Sequence, residues 1–397
     1  MSSYTVRRSL APTESRRVES AGADLTGGWS PETWLGAPAP GGLALPPAKP
    51  TMAWMYSPRA VFLDEHHVVV ADTGNHRVLI WHGAPTDDEQ PADVVLGQPD
   101  GETEGHGAGG RGPERGMNLP TGVLIHDGRL VIADAWHHRI LVWNEVPRTS
   151  DVGPDMVLGQ PDASSVEANA GGECGAATLY WPFGVAIVGD GFWVADTGNR
   201  RVLGWRDGIP EPGLPADVIV GQPDATHREE NRGQSAGPAS FRWPHAIAGR
   251  DDLLLVADAG NHRVLGWTPP PTADGPADLL LGQSDFADSD EWPYGPHSGD
   301  RFRFPYAIGL QTGADGVERL AVGDTANNRV LIWDAMPTAN TPADHVLAQP
   351  SFAANGENRW TAVQRDTLCW PYGLSLHNDR LAVADSGNNR VVIWRRR

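Results

Sequence analysis

One pattern occurs six times along the chain: an aspartate, an arginine five residues later and a tryptophan nine residues later. The first copy reads Ala71-Asp72-Thr73-Gly74-Asn75-His76-Arg77-Val78-Leu79-Ile80-Trp81. The aspartate returns at Asp134, Asp196, Asp258, Asp324 and Asp385, at intervals of 62, 62, 62, 66 and 61 residues. The arginines are Arg77, Arg139, Arg201, Arg263, Arg329 and Arg390, and the tryptophans are Trp81, Trp143, Trp205, Trp267, Trp333 and Trp394. A period of this length means that each copy is one supersecondary unit, stacked so that neighbours bury each other's faces.

Within a copy the chain reads as four short strands. A proline (Pro58, Pro120, Pro182, Pro244, Pro305, Pro371) precedes strand a, and an apolar run such as Val68-Val69-Val70-Ala71 forms strand b. A tight Thr-Gly-Asn turn leads to strand c, Arg77 to Trp81, and Asp93-Val94-Val95-Leu96-Gly97-Gln98-Pro99-Asp100 supplies strand d. In the fifth copy Thr312 to Gly316 lengthens the a–b turn. Strand d recurs at Leu158, Val220, Leu281 and Leu347, but no copy follows Trp394. The missing one is at the other end, where Trp34-Leu35-Gly36-Ala37-Pro38 matches in phase. Exchange of ends implies a closed ring, which removes exposed sheet edges. The expected fold is all-β: a six-bladed β-propeller of four-stranded blades, closed by an N-terminal strand at about 33–38 that joins the C-terminal blade. Residues 29–397 form this single ring, preceded by a flexible tail, 1–28. With 47 glycines and 34 prolines in 397 residues, a helical bundle is excluded.

The segments Asn75-His76-Arg77 and Asn261-His262-Arg263, with the variants Asn199-Arg200-Arg201, Asn327-Asn328-Arg329 and Asn388-Asn389-Arg390, resemble the signature of NHL-repeat propellers. The Leu-Gly-Gln-Pro-Asp strand resembles a bacterial subgroup of that family. The resemblance covers about residues 29 to 397 and implies the ring fold. The family includes protein-binding modules, RNA readers and lyases, so function has to be argued from the site.

Internal repetition separates scaffold from site, because a residue present in every blade serves the fold and one site is served by residues that differ between blades. Asp72, Asp134, Asp196, Asp258, Asp324 and Asp385 with their arginines are therefore structural: the carboxylate accepts turn amides and the arginine pairs with it. The tryptophans fill the wedges between blades, the Gln of Leu-Gly-Gln bonds backbone, and His76, His138 and His262 are hydrogen-bonded turn residues. The position after each proline differs between copies and heads the innermost strand: Arg59, Thr121, Phe183, His245, Tyr306 and Tyr372. The next position is always small, as crowding near an axis demands. This ring is the channel or ligand candidate, with Arg59 as a carboxylate clamp, His245 as proton carrier or lone metal ligand, and the aromatics as walls. The d–a and b–c connections share one face, and the long d–a loops make it the working surface. Trp136 and His137, where blade 2 departs from the turn pattern, and Trp292 and Trp360 in loops are partner-contact candidates.

A formal charge of −19, with 31 basic and 50 acidic residues, disfavours nucleic acid. Lys49 is the sole lysine and lies in a proline-rich run, which disfavours Schiff-base chemistry. No apolar stretch is long enough to span a membrane, and the two cysteines do not make a disulfide scaffold. The ring positions carry no carboxylate for calcium, and His245 is alone there as a zinc ligand, so no cofactor is expected and a channel metal has little support. The expected protein is cytoplasmic and forms a monomeric ring by itself. It is a binding or scaffold module with a protein partner at its long-loop face, accessory to a larger enzyme complex, with room for a small molecule in the channel. The alternative is a channel-sited lyase or hydrolase using Arg59, His245, Tyr306 and Tyr372.

Overall fold

A computed structural model describes residues 25–37, 49–291, 297–313 and 315–397. Among these, six four-stranded antiparallel sheets follow one another around a ring, each ordered a-b-c-d from the axis outward. Blade 1 has Ala60–Leu63, His67–Asp72, Arg77–His82 and Val94–Leu96 as its strands. Blade 6 has Pro371–His377, Arg380–Asp385 and Arg390–Arg396, and its outermost strand is Trp29–Gly36 from the opposite end of the chain. The closing strand is thus longer on its N-terminal side than expected, because Trp29, Ser30 and Pro31 continue pairing with Arg396, Arg395 and Trp394 across a bulge at Glu32. Most of the expected tail, 1–24, lies outside the described residues, and from Leu25 the chain is docked, its carbonyl accepting from Val346 N.

Strand b is apolar on both faces because each blade is sandwiched between two others. Val68 and Val70 pack with Leu35 and Ile393 of blade 6, whereas Val69 and Ala71 pack with Leu130 and Ile132 of blade 2. The repeated tryptophans lie buried in these wedges, and five of them donate Nε1 to a backbone carbonyl eight or nine residues on, as Trp81 does to Gln90 O at 3.0 Å. At the axis the chains come so close that a Cβ at Gly184 would sit 2.2 Å from His245 O, and one at Gly373 would sit 2.5 Å from Arg59 O. Crowding therefore explains the small residue that follows each ring position.

The aspartate and arginine act as a staple between loops. Asp196 Oδ2 accepts from Arg201 Nε at 2.8 Å and from Asn199 Nδ2 at 2.8 Å, while Oδ1 accepts from Tyr180 N at 2.7 Å. The remaining Arg201 nitrogens donate to the carbonyls of Ala225, Gly175 and Thr178. The carboxylate thus takes one turn side-chain amide and a backbone amide from the preceding d–a loop, not the turn's own backbone amides as the sequence suggested. Both side chains are fully buried, so removing one partner leaves an uncompensated charge. Asp258→Ala is expected to cost about 3–5 kcal/mol, read as a lowered guanidinium midpoint. A loss under about 1 kcal/mol would contradict the staple.

Candidate functional site

The d–a loops are held in shape by further repeated contacts. Gln222 Nε2 donates to Glu229 O at 2.9 Å, closing the loop after strand d. Asn169, Asn231 and Asn358 of three loops pair through their side-chain amides with Asn199, Asn261 and Asn388 of the b–c turns. Each of these loop asparagines opens a short left-handed turn: Asn169, Ala170 and Gly171; Asn231, Arg232 and Gly233; Asn358, Arg359 and Trp360. The loop into blade 2 does the same with Gly107, Ala108 and Gly109. Glycine adopts a positive φ without strain, so Trp360 at φ 58° stands where the other turns place glycine. Its side chain is 76% exposed.

Residue pairs across blade boundaries complete the ring. His76 Nδ1 accepts from Leu119 N, His138 Nδ1 from Trp181 N and His262 Nδ1 from Phe304 N, at 3.1–3.2 Å. Asn328 and Asn389 do the same for Trp370 N and Ser57 N through Oδ1. In each case the donor immediately precedes a blade's proline and is held at a φ of 49° to 54°. Arg200 occupies the equivalent position in blade 3 and cannot accept. The amide of Trp243 turns instead to Asp258 Oδ1, and Trp243 has no positive φ.

The ring after each proline gathers around the axis, where Arg59, Thr121, Phe183, His245, Tyr306 and Tyr372 line the central channel. Their rings form a continuous belt: Phe183 to His245 at 4.4 Å, His245 to Tyr306 at 4.4 Å and Tyr306 to Tyr372 at 4.8 Å between centroids. The Arg59 guanidinium rests 4.8 Å from the Tyr372 centroid, and its Nε is buried without an acceptor. Thr121 is turned to the backbone, donating Oγ1 to Pro182 O at 3.1 Å. His245 Nδ1 lies 3.0 Å from the Trp243 carbonyl and so carries the ring hydrogen, which leaves Nε2 with its lone pair. Burial, opposed by the hydrogen bond to the Trp243 carbonyl and joined by a smaller effect of the Arg59 charge, lowers the His245 pKa to about 3. Burial also raises Tyr306 and Tyr372, so both phenols stay protonated. A general base works best with a pKa near the operating pH, so the belt is better suited to holding a ligand than to moving a proton.

On the long-loop side the belt is the floor of a second, open cavity walled by Trp181, Thr197, Gly198, Arg200 and Trp243. Trp243 stacks toward Phe304 and Phe304 toward Tyr306, at 6.1 and 6.2 Å, and Trp370 toward Tyr372 at 6.5 Å. Sequence reasoning missed these walls. Their signal was the residue before each proline, which is aromatic in blades 3 to 6. It also named Arg200 only as a variant of the repeat signature, although Arg200 departs from the histidine or asparagine of the other copies.

The remaining candidates separate. Trp136 is 44% exposed and packs on Trp181 at 5.1 Å between centroids. His137 is corrected from a partner contact to a structural group: it is 5% exposed and bonds Asp134 Oδ2 at 2.9 Å, in the role asparagine has in other blades. Trp292 lies outside the described residues. Cys174 and Cys369 are buried free thiols, and burial pushes Cys369 up to about 12. Among the described residues no three His, Cys, Asp or Glu side chains stand together as a metal site, and no helix is long and apolar enough to cross a membrane.

A six-bladed β-propeller with an aromatic, arginine-floored cup at its long-loop mouth is the class of protein these features define. No family model and no curated protein matches the sequence. Among solved structures it is similar to a structural genomics protein of unknown function from Bacteroides thetaiotaomicron VPI-5482, at 11% identity over 92% of this chain and 75% of that one, with a TM-score of 0.49. It is also similar to the WD40 β-propeller domain of Doa1, at 13% identity over 93% of this chain and 98% of that one, with a TM-score of 0.42.

The inter-blade histidines make stability depend on pH. Burial lowers His138 and His262 to about 4, and an unfolded imidazole titrates near 6.5. Between these values the unfolded chain binds more protons than the fold, so stability falls as pH drops from about 6.5 to about 4. Asparagine is the natural occupant in blades 5 and 6, so the double variant His138→Asn, His262→Asn keeps both bonds. Its melting temperature should fall less steeply over that window; equal slopes would refute this assignment.

Proposed function

We propose that this chain is an NHL-type propeller that acts as a binding module, its long-loop face docking a protein partner. The observation that carries the reading is the one-sided placement of exposed aromatics. Tyr56 at 52%, Trp136 at 44%, Trp360 at 76% and Trp370 at 38% all belong to b–c turns or d–a loops. Among the described residues the other large exposed apolar side chains, Val152 and Leu214, are aliphatic and lie on c–d connections at the opposite face. Tryptophan and tyrosine dominate the energetics of protein interfaces. Trp360 adds a second argument, since it replaces glycine in a left-handed turn, a choice that costs about 1 kcal/mol and that 76% exposure does nothing to offset within the fold. The unpaired buried cysteines suit a reducing compartment, and the reading places the module in the cytoplasm as an accessory to a larger enzyme complex.

Trp360→Gly restores the residue other loops use, so the melting temperature should stay level or rise. With Trp136→Gly added, a partner captured from host extract by the immobilised wild-type protein should be lost. Identical captured proteins for wild type and double variant would refute the reading.

A further inference from the structure

We propose that the cup above the channel is a binding site for a small organic anion, a carboxylate or phosphate carried on a flat apolar body. Its lining is distinct from the partner-contact aromatics, although Trp136 packs on the wall residue Trp181. The scaffold arginines define the contrast. Arg77, Arg139, Arg201, Arg263, Arg329 and Arg390 are each buried against an aspartate oxygen at 2.7–3.0 Å. Among the described residues Arg59 meets no carboxylate; its guanidinium rests over the Tyr372 ring, with Nε shielded from water and unpaired. The guanidinium is half-buried with no carboxylate beside it, and an anion in the cup would supply a counter-charge.

Arg200 points the same way. It lines the cavity with Arg59, its Nε is also buried without an acceptor, and its Nη1 donates to the Gly198 carbonyl of its own turn. In this position arginine forgoes the inter-blade acceptor role that histidine or asparagine fills elsewhere. Among the described residues no aspartate or glutamate lines either cavity, in a molecule whose formal charge is −19. The floor is thus a local cationic site within an acidic surface. The walls are aromatic and the space they enclose is concave, as small-molecule sites are. Trp181, Trp243, Phe183 and Tyr306 offer faces and edges to a flat apolar body. His245 Nε2 adds an acceptor for a ligand O–H or N–H.

The test is calorimetric titration of the full chain with indole-3-acetate and phenyl phosphate, alongside the neutral probes indole-3-ethanol and phenol. At least one anion should bind about tenfold or more tightly than its neutral counterpart, and which one does so distinguishes carboxylate from phosphate. Arg59→Gln should weaken that anion about tenfold and leave the neutral probe unchanged. Arg200→Asn places in the left-handed turn a residue that blades 5 and 6 already use there, so it folds, and it should weaken the anion about threefold. Neutral probes that bind as tightly as the anions would overturn the proposal. So would an Arg200→Asn variant with unaltered anion affinity, or no heat from either anion at about 10 mM.

Discussion

The buried aspartate–arginine pair, repeated in each blade, is the contact on which the long-loop face depends. The pair is not primarily a source of stability, since taking both charges out of water offsets much of their attraction. What it supplies is geometry. One carboxylate fixes the b–c turn through its asparagine and the incoming loop through a backbone amide, and one guanidinium collects carbonyls from the loops on either side. Few alternative arrangements satisfy so many buried donors at once, and an unsatisfied one is expensive.

Because these staples and the asparagine pairs hold the loops, side chains on that face are presented from defined positions. Inter-blade bonds extend the same order around the ring. The hydroxyls of Thr73, Thr197, Thr325 and Ser386 donate to the carbonyl of the next blade's proline, the last of these joining blade 6 to blade 1. Residues before five of the six prolines are held at positive φ by side chains of the previous blade, a strain that persists because its surroundings over-determine it. That constraint aims Trp181, Phe304 and Trp370 toward the mouth, above the belt of Phe183, His245, Tyr306 and Tyr372.

The repeat made blade number, strand order and end-exchange legible, because each is a statement about periodicity. Its bulge and three-residue extension at Trp29 to Pro31 were not, since they depend on what blade 6 offers for pairing. The belt was legible as well, being the one column beside the axis whose residues differ. Two adjacent columns hid the cup walls and Arg200. They read as punctuation around proline and as turn caps, and in most blades Arg200's column serves only the ring. His137 misled for the opposite reason: it breaks the sequence pattern while doing in three dimensions what asparagine does elsewhere.

Periodicity by itself determined a closed ring of six four-stranded blades, since a hydrophobic and turn pattern that repeats in phase admits one way of burying every face. Tertiary structure alone decided which side chains share a space. Arg59 and Arg200 lie more than a hundred residues apart, in blades 1 and 3. Only ring closure brings them to the same cavity, and only burial reveals that both lack an acceptor for Nε. Charge pairing and desolvation are properties of that enclosed space, and no local run of sequence encodes them.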